Sequence, residues 1–166
     1  SRDVTVVIAS PLERAQQTAA PIAGVHGLTI GTDENLIEAD NVFEGERVSV
    51  GDGVLRQPRA WRHLYNPLRP SWGEPYVVIA ARMRQAVADA RAAARGHEAV
   101  LVSHQLPIWI SRLDFEDRRF PHDPRKRQCS LASLTSLTFD DDELVAVLYT
   151  EPSADLLAKA SKIAGA

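Results

Sequence analysis

Residues 4–19 read VTVVIASPLERAQQTA, and the fold turns on how this stretch divides. Val4 to Ala9 is an almost unbroken run of β-branched and small apolar side chains. Such a run marks a strand covered on both faces, because a strand with one wet face alternates apolar and polar residues. The run stops at Ser10-Pro11-Leu12-Glu13, where three helix-start signals coincide. Ser10 can cap the first turn, Pro11 suits the first helical position, and Glu13 completes a capping box. The stretch therefore predicts a buried strand feeding directly into a helix. That helix should run to Gly24 or Gly27, with a kink or break near Pro21.

Outward from this junction the same alternation repeats. A short strand is expected over residues 28–32. Residues 35–75 lack periodicity and are rich in Gly, Pro and aromatics, so they read as a long excursion with a short helix near 59–65. Residues 76–95 read as a helix with Val78, Ala81, Met83 and Val87 on one face, stopped by Gly96. Residues 99–103 (AVLVS) form a second buried strand, with His104 just past its end. A helix over 105–113 follows, Pro107 falling in its first turn. Strands at 131–139 and 143–149 are joined by Asp140-Asp141-Asp142, a hairpin by its turn residues. Residues 1–150 read as one domain, and 151–166 as a tail that is either a surface helix or frayed. Buried strands separated by helices imply a mainly parallel sheet between helical layers.

Composition narrows the class of protein. A chain of 166 residues can bury a full core. With 45% hydrophobic and 25% charged residues it has the balance of a soluble globular protein. The net charge of -3 pulls the whole molecule toward neither nucleic acid nor an anionic membrane, so neither is expected as a partner. Cys129, the only cysteine, makes no internal disulfide, which fits a cytoplasmic setting. No apolar run is long enough to span a bilayer.

Ligands of parallel α/β sheets gather beyond the carboxyl ends of the strands. Ser10 and His104 both occupy that position, and Arg14 lies one turn into the first helix. Backbone amides at a helix start attract anions, and an arginine adds a planar fork whose charge is permanent at neutral pH. The residues alone point to an oxyanion site. They are equally compatible with Arg14 as a solvated helix residue and His104 as a core histidine.

A resemblance extends this reading. Ser10-Pro11-Leu12-Glu13-Arg14-Ala15-Gln16-Gln17-Thr18-Ala19 resembles the SPL-x-RA-x-x-TA signature of the histidine phosphatase, or phosphoglycerate-mutase-like, superfamily. Leu36-Ile37-Glu38 with Phe43-Glu44-Gly45 is similar to its L-x-E…EG segment, Gly73-Glu74 to its G-E-S motif, and Leu101-Val102-Ser103-His104 to its V-S-H motif. All four occur in the family's order and approximate spacing. The resemblance implies a three-layer α/β/α fold and phosphoryl transfer through a phosphohistidine, with no metal or cofactor. It assigns Arg14, His104 and Ser10 to phosphate binding, and Glu38 and His104 to catalysis, Glu38 as the proton donor. The implied substrate is a small phosphorylated molecule, and a homodimer is open.

Departures from the pattern matter as much. The family's nucleophile lies in an Arg-His-Gly motif on a central strand that precedes the equivalent of Val4. None of His26, His63, His97, His104 and His122 stands in such a motif. The sheet is thus expected to lack that strand and to leave two inner edges unpaired, with the nucleophile absent. The intact protein is expected to be a metal-independent phosphatase and this chain alone inactive; the alternative is a non-catalytic phosphate- or partner-binding member of the fold. Ala39-Asp40 after Glu38 departs from the Glu-Arg of true mutases and favours a phosphatase. Phe43, Trp61, Tyr65 and Trp72 in the excursion read as core, with an apolar lid as the rival. The basic stretch 118–127 (Arg118-Arg119, Arg125-Lys126-Arg127) reads as a solvated surface loop, and Cys129 as a buried small residue.

Overall fold

The structure, a computed structural model, describes residues 2–39 and 74–157. Strand β1 (Val4–Ala9) lies at the centre of a three-stranded parallel sheet, flanked by β2 (Ile30–Thr32) and β3 (Glu98–Val102). The register sets Ile8 beside Gly31 and Leu101, and Ala9 beside Thr32 and Val102. All three carboxyl ends therefore finish on one rim.

Alternation along β1 and β3 separates two apolar faces. Val7, Ala9, Val100 and Val102 pack with Ala19 and Ala23 of helix α1 (Glu13–His26). Ile8 and Leu101 face the other way, onto a core of Leu36, Ile79, Met83, Ala86, Ile110 and Leu113. That second core comes from helices α2 (Tyr76–Ala93) and α3 (Gln105–Phe115) and the 3-10 turn at Glu34–Leu36. The molecule is a three-layer α/β/α sandwich with helices on both faces of a parallel sheet.

Strands β4 (Leu134–Asp140) and β5 (Glu143–Thr150) form an antiparallel hairpin, turned at Asp141 with φ of 45°. This pair is a sheet of its own: among the described residues β3 bonds only to β1, and β4 only to β5. A single turn, α4 (Ala154–Leu157), begins the tail. No helix among the described residues is long and apolar enough to cross a membrane.

Several expectations need correction. Helix α1 starts at Glu13 with Leu12 at the cap position, and no side chain caps it. Its helix passes through Pro21 without interruption to Gly27, whose φ of 66° closes it. Pro21 and Gln17 both lie on the exposed face, so the carbonyl deprived of its donor can turn to water. The buried stripe of α2 is Ile79, Met83, Ala86 and Ala90, whereas Val78 is exposed. Met83 lies on the buried face as expected, while Val78 and Ala81 do not, because the stripe beside it is built largely of small alanines rather than valines. Strand β2 begins two residues later than expected and β4 three. The short helix near 59–65 and the aromatics Phe43, Trp61, Tyr65 and Trp72 lie outside the described residues.

Candidate active site

Ser10 is the first residue beyond β1, and its side chain is fully buried. Its amide donates to the Val102 carbonyl at 2.9 Å, tying it to the end of β3. The hydroxyl, expected as a helix cap, makes only a long contact of 3.4 Å with the Leu12 amide. It sits instead 2.9 Å from Nε2 of His104, the cap position of α3. A partner 94 positions away has taken over the local capping bond.

Arg14, in the first turn of α1, extends Nε to donate to Nδ1 of His104 at 3.2 Å. With Nδ1 accepting, the imidazole proton belongs on Nε2, where it donates to the Ser10 hydroxyl. Burial, then the charges of Arg14 and Arg82, push the His104 pKa down to about 4. The ring is therefore neutral near pH 7, because a buried imidazolium beside two guanidinium groups is costly.

Glu38 reaches the same spot from a different segment. The turn before it is held by the Asp33 side chain accepting from the Asn35 amide and by the fully buried Leu36. Ser103 donates its hydroxyl to the Leu36 carbonyl at 2.7 Å, and Arg82 donates Nη1 to the Asn35 carbonyl at 2.6 Å. The other side of Arg82 forms a two-pronged pair with Glu74, both contacts 2.9 Å. So anchored, Glu38 places Oε2 3.9 Å from Nδ1 of His104, while Oε1 accepts from the Ala39 amide at 3.0 Å. Burial raises the Glu38 pKa; the Ala39 hydrogen bond and the charges of Arg14, Arg127 and Arg82 oppose the rise.

Ser10, Arg14, Glu38 and His104 thus converge at the carboxyl rim of the sheet. Sequence reading missed Arg82 and met Ser103 only as a member of the V-S-H motif; both hold the Glu38 turn in place through partners distant in the chain. Of the motif residues, Phe43, Glu44, Gly45 and Gly73 fall outside the described residues. His97 pairs with Asp3 at 2.7 Å, at the opposite end of the sheet from His104. Cys129 is buried, and burial pushes its thiol pKa up. A separate cavity of about 520 Å³ between α2 and the β4–β5 hairpin has its arginines engaged, Arg84 by Asp114 and Arg91 by Asp142.

This geometry suits a tetrahedral oxyanion: a forked cation at a helix start, an imidazole beside it, and a carboxyl group at the edge. The chain matches the sequence profile of the histidine phosphatase superfamily (branch 1) over residues 1–152. It is 60% identical over 153 residues to the uncharacterized protein Rv0525 of Mycobacterium tuberculosis, covering 92% of this chain and 76% of that one. It is 34% identical over 142 residues to a probable phosphoglycerate mutase GpmB of an Enterobacter species, covering 79% and 63%. In structure it resembles the mycobacterial glucosyl-3-phosphoglycerate phosphatase Rv2419c, with a TM-score of 0.50, 25% identity, and coverage of 66% and 57%. The chain spans about three-fifths of the length of the last two proteins. With the rim geometry and the matched profile agreeing from the first strand to the hairpin, the chain belongs to the histidine phosphatase superfamily.

Proposed function

We propose that this chain carries the phosphoryl-binding and proton-donating part of a phosphoric monoester hydrolase that works through a phosphohistidine. The observation that carries this reading is the three-way meeting at Nδ1 of His104, with Arg14 Nε at 3.2 Å and Glu38 Oε2 at 3.9 Å. A dianionic phosphoryl group placed there would find a fixed guanidinium for its equatorial oxygens. Such preorganised donors stabilise developing charge without reorganisation, the larger part of what phosphoryl transfer demands. Burial raises the Glu38 pKa, the direction that a proton donor to the departing alkoxide needs. His104 supplies a second donor once its ring takes up a proton or shifts it to Nδ1.

Of the two functionally named proteins above, one is a probable mutase and the other a phosphatase. Ala39-Asp40 after Glu38 departs from the Glu-Arg of true mutases, which favours hydrolysis over mutase chemistry. The nucleophilic histidine is supplied from outside these 166 residues, which contain no Arg-His-Gly. Among the described residues β3 pairs only with β1 and β4 only with β5, which leaves room for a strand bearing such a motif between them and supports this reading. These residues alone are then expected to bind phosphate without turning over esters.

The test compares the intact protein with Arg14→Ala and His104→Ala on p-nitrophenyl phosphate, without added metal. Each variant should lose on the order of 10² or more in turnover, the usual cost of removing one oxyanion donor. Undiminished turnover, or strict dependence on a metal, would end the hypothesis. The absence of Arg-His-Gly favours one second reading, a non-catalytic phosphate-binding protein. That reading predicts phosphate binding and no turnover in the intact protein.

A further inference from the structure

The basic stretch 118–127 does not behave as a unit. Arg118 pairs with Glu116 at 2.7 Å and Arg125 with Asp123 at 2.9 Å, both exposed at the surface. Arg127 turns inward and is half-buried. Its Nε donates to Nε2 of His122 at 2.8 Å, and Nδ1 of His122 is 2.6 Å from the Phe120 carbonyl. That carbonyl can only accept, so Nδ1 bears the proton and Nε2 has the lone pair that Arg127 uses. His122 in turn lies between aromatic rings, with centroids 5.7 Å from both Tyr76 and Trp109. A neutral ring, wedged by two aromatics and tied to the backbone, thus fixes the guanidinium from behind.

The front of that guanidinium is the significant part. Beyond Nε, which is committed to His122, the guanidinium's other hydrogen-bond partner among the described residues is Tyr76, a phenol rather than a carboxylate. No carboxylate among the described residues lies within 4.0 Å of it, although every other half-buried arginine on this side, Arg82 and Arg112, has one. Its segment returns to the rim, where Gln105, the neighbour of His104, donates Nε2 to the Cys129 carbonyl at 3.2 Å, and Glu38 and Tyr76 are among the groups that feel the Arg127 charge. A half-buried cation bears the cost of desolvation, and burial pushes the Arg127 pKa down accordingly. Such a group is usually matched by an anion.

We infer that Arg127 is a specificity-determining residue that binds a second anionic group, a carboxylate or phosphate, on the leaving alcohol of the substrate. The inference rests on the proposed role of Glu38. If Glu38 protonates the leaving oxygen, the rest of the leaving group lies on the Glu38 side of the pocket. Among the described residues Arg127 is the cation there without a paired carboxylate, since Arg82 is spent on Glu74 and Asn35. Substrates are then phosphomonoesters whose alcohol is itself an anion, and neutral alkyl phosphates are poor ligands.

Calorimetry on this chain decides the matter with three probes: inorganic phosphate, ethyl phosphate and phosphoglycolate. Phosphoglycolate should bind about tenfold more tightly than ethyl phosphate, about 1.4 kcal/mol. Arg127→Gln should bring that ratio to near one and leave ethyl phosphate binding unchanged, whereas Arg127→Lys should retain part of it. An unchanged ratio in Arg127→Gln, or equal affinities in the parent chain, overturns the inference while leaving the phosphate site standing. Failure of all three probes to bind removes the phosphate site and this inference together. Equal loss for all three in Arg127→Gln, with Arg127→Lys equally impaired, assigns the residue a purely structural role and also overturns it.

Discussion

Nε of Arg14 donates to Nδ1 of His104 across 3.2 Å, so a guanidinium and an imidazole are bound to each other at the point where an oxyanion would sit. An anion must draw the guanidinium to itself, and it then needs a proton, not a lone pair, from Nδ1. A bound dianion thus reverses the electrostatics that hold the His104 pKa down near 4. Saturating the chain with inorganic phosphate should move the His104 titration well up toward the ordinary histidine range, read from imidazole carbon and nitrogen chemical shifts. No change in that titration on phosphate binding would separate His104 from the anion.

The same depressed pKa has a consequence for folding. A histidine whose pKa is lower folded than unfolded contributes stability above its unfolded pKa, and the contribution is lost as pH falls toward the folded value. For His104 the window runs from about 6.5 down to about 4. At 1.36 kcal/mol per unit the loss is on the order of 3 kcal/mol at most. His104→Gln should therefore flatten the fall in urea-unfolding stability between pH 7 and pH 4.5. Identical slopes for parent and variant would contradict the buried, neutral state assigned to the ring.

How far this site was legible from sequence depends on what each residue needed to be recognised. β1 and the positions of Ser10, Arg14 and His104 follow from two apolar runs ending in helix-start residues, a local pattern that burial on both sheet faces imposes. The hydroxyl of Ser10 was misread as a cap because Ser-Pro-x-Glu is the same string whether the hydroxyl caps a helix or meets an imidazole. Only the pairing of β1 with β3, which sets Ala9 beside Val102, decides between the two. Arg82 and Arg127 were invisible as site residues for the same reason, and Ser103 was legible as a motif residue but not in its tie to Leu36. A run of like charges looks like a solvated face until tertiary packing turns one member inward.

Glu38 offers a test of charge at the rim. Its pKa is raised chiefly by burial, so the carboxyl loses its proton at a higher pH than an exposed glutamate and then repels a nearby anion. Sulfate, which stays a dianion across the range, should bind progressively more weakly as pH rises, through loss of the Glu38 proton and of any proton that His104 takes up beside the anion. Glu38→Gln should remove the Glu38 share of that decline and leave a shallower fall. If the sulfate affinity of Glu38→Gln falls with pH as steeply as that of the parent chain, Glu38 does not face the anion.

The anchor beneath Glu38 should be measurable as stability. Arg82 and Glu74 are 13% and 18% exposed at their side chains, and Arg82 also satisfies the Asn35 carbonyl. Removing the cation alone strands a half-buried carboxylate and a carbonyl, whereas removing both charges strands less. Arg82→Met should cost roughly 2–4 kcal/mol in chemical unfolding, toward the low end for a pair not fully buried. The double variant Arg82→Met with Glu74→Leu should recover a substantial part of that loss, since it leaves no charge without a partner. Sulfate binding discriminates the two roles of Arg82. It should weaken in both variants, because the turn carrying Glu38 has lost its tie at Asn35 even where the charge balance is restored. If the double variant recovered sulfate binding in proportion to its stability, the Asn35 contact would have no part in placing Glu38.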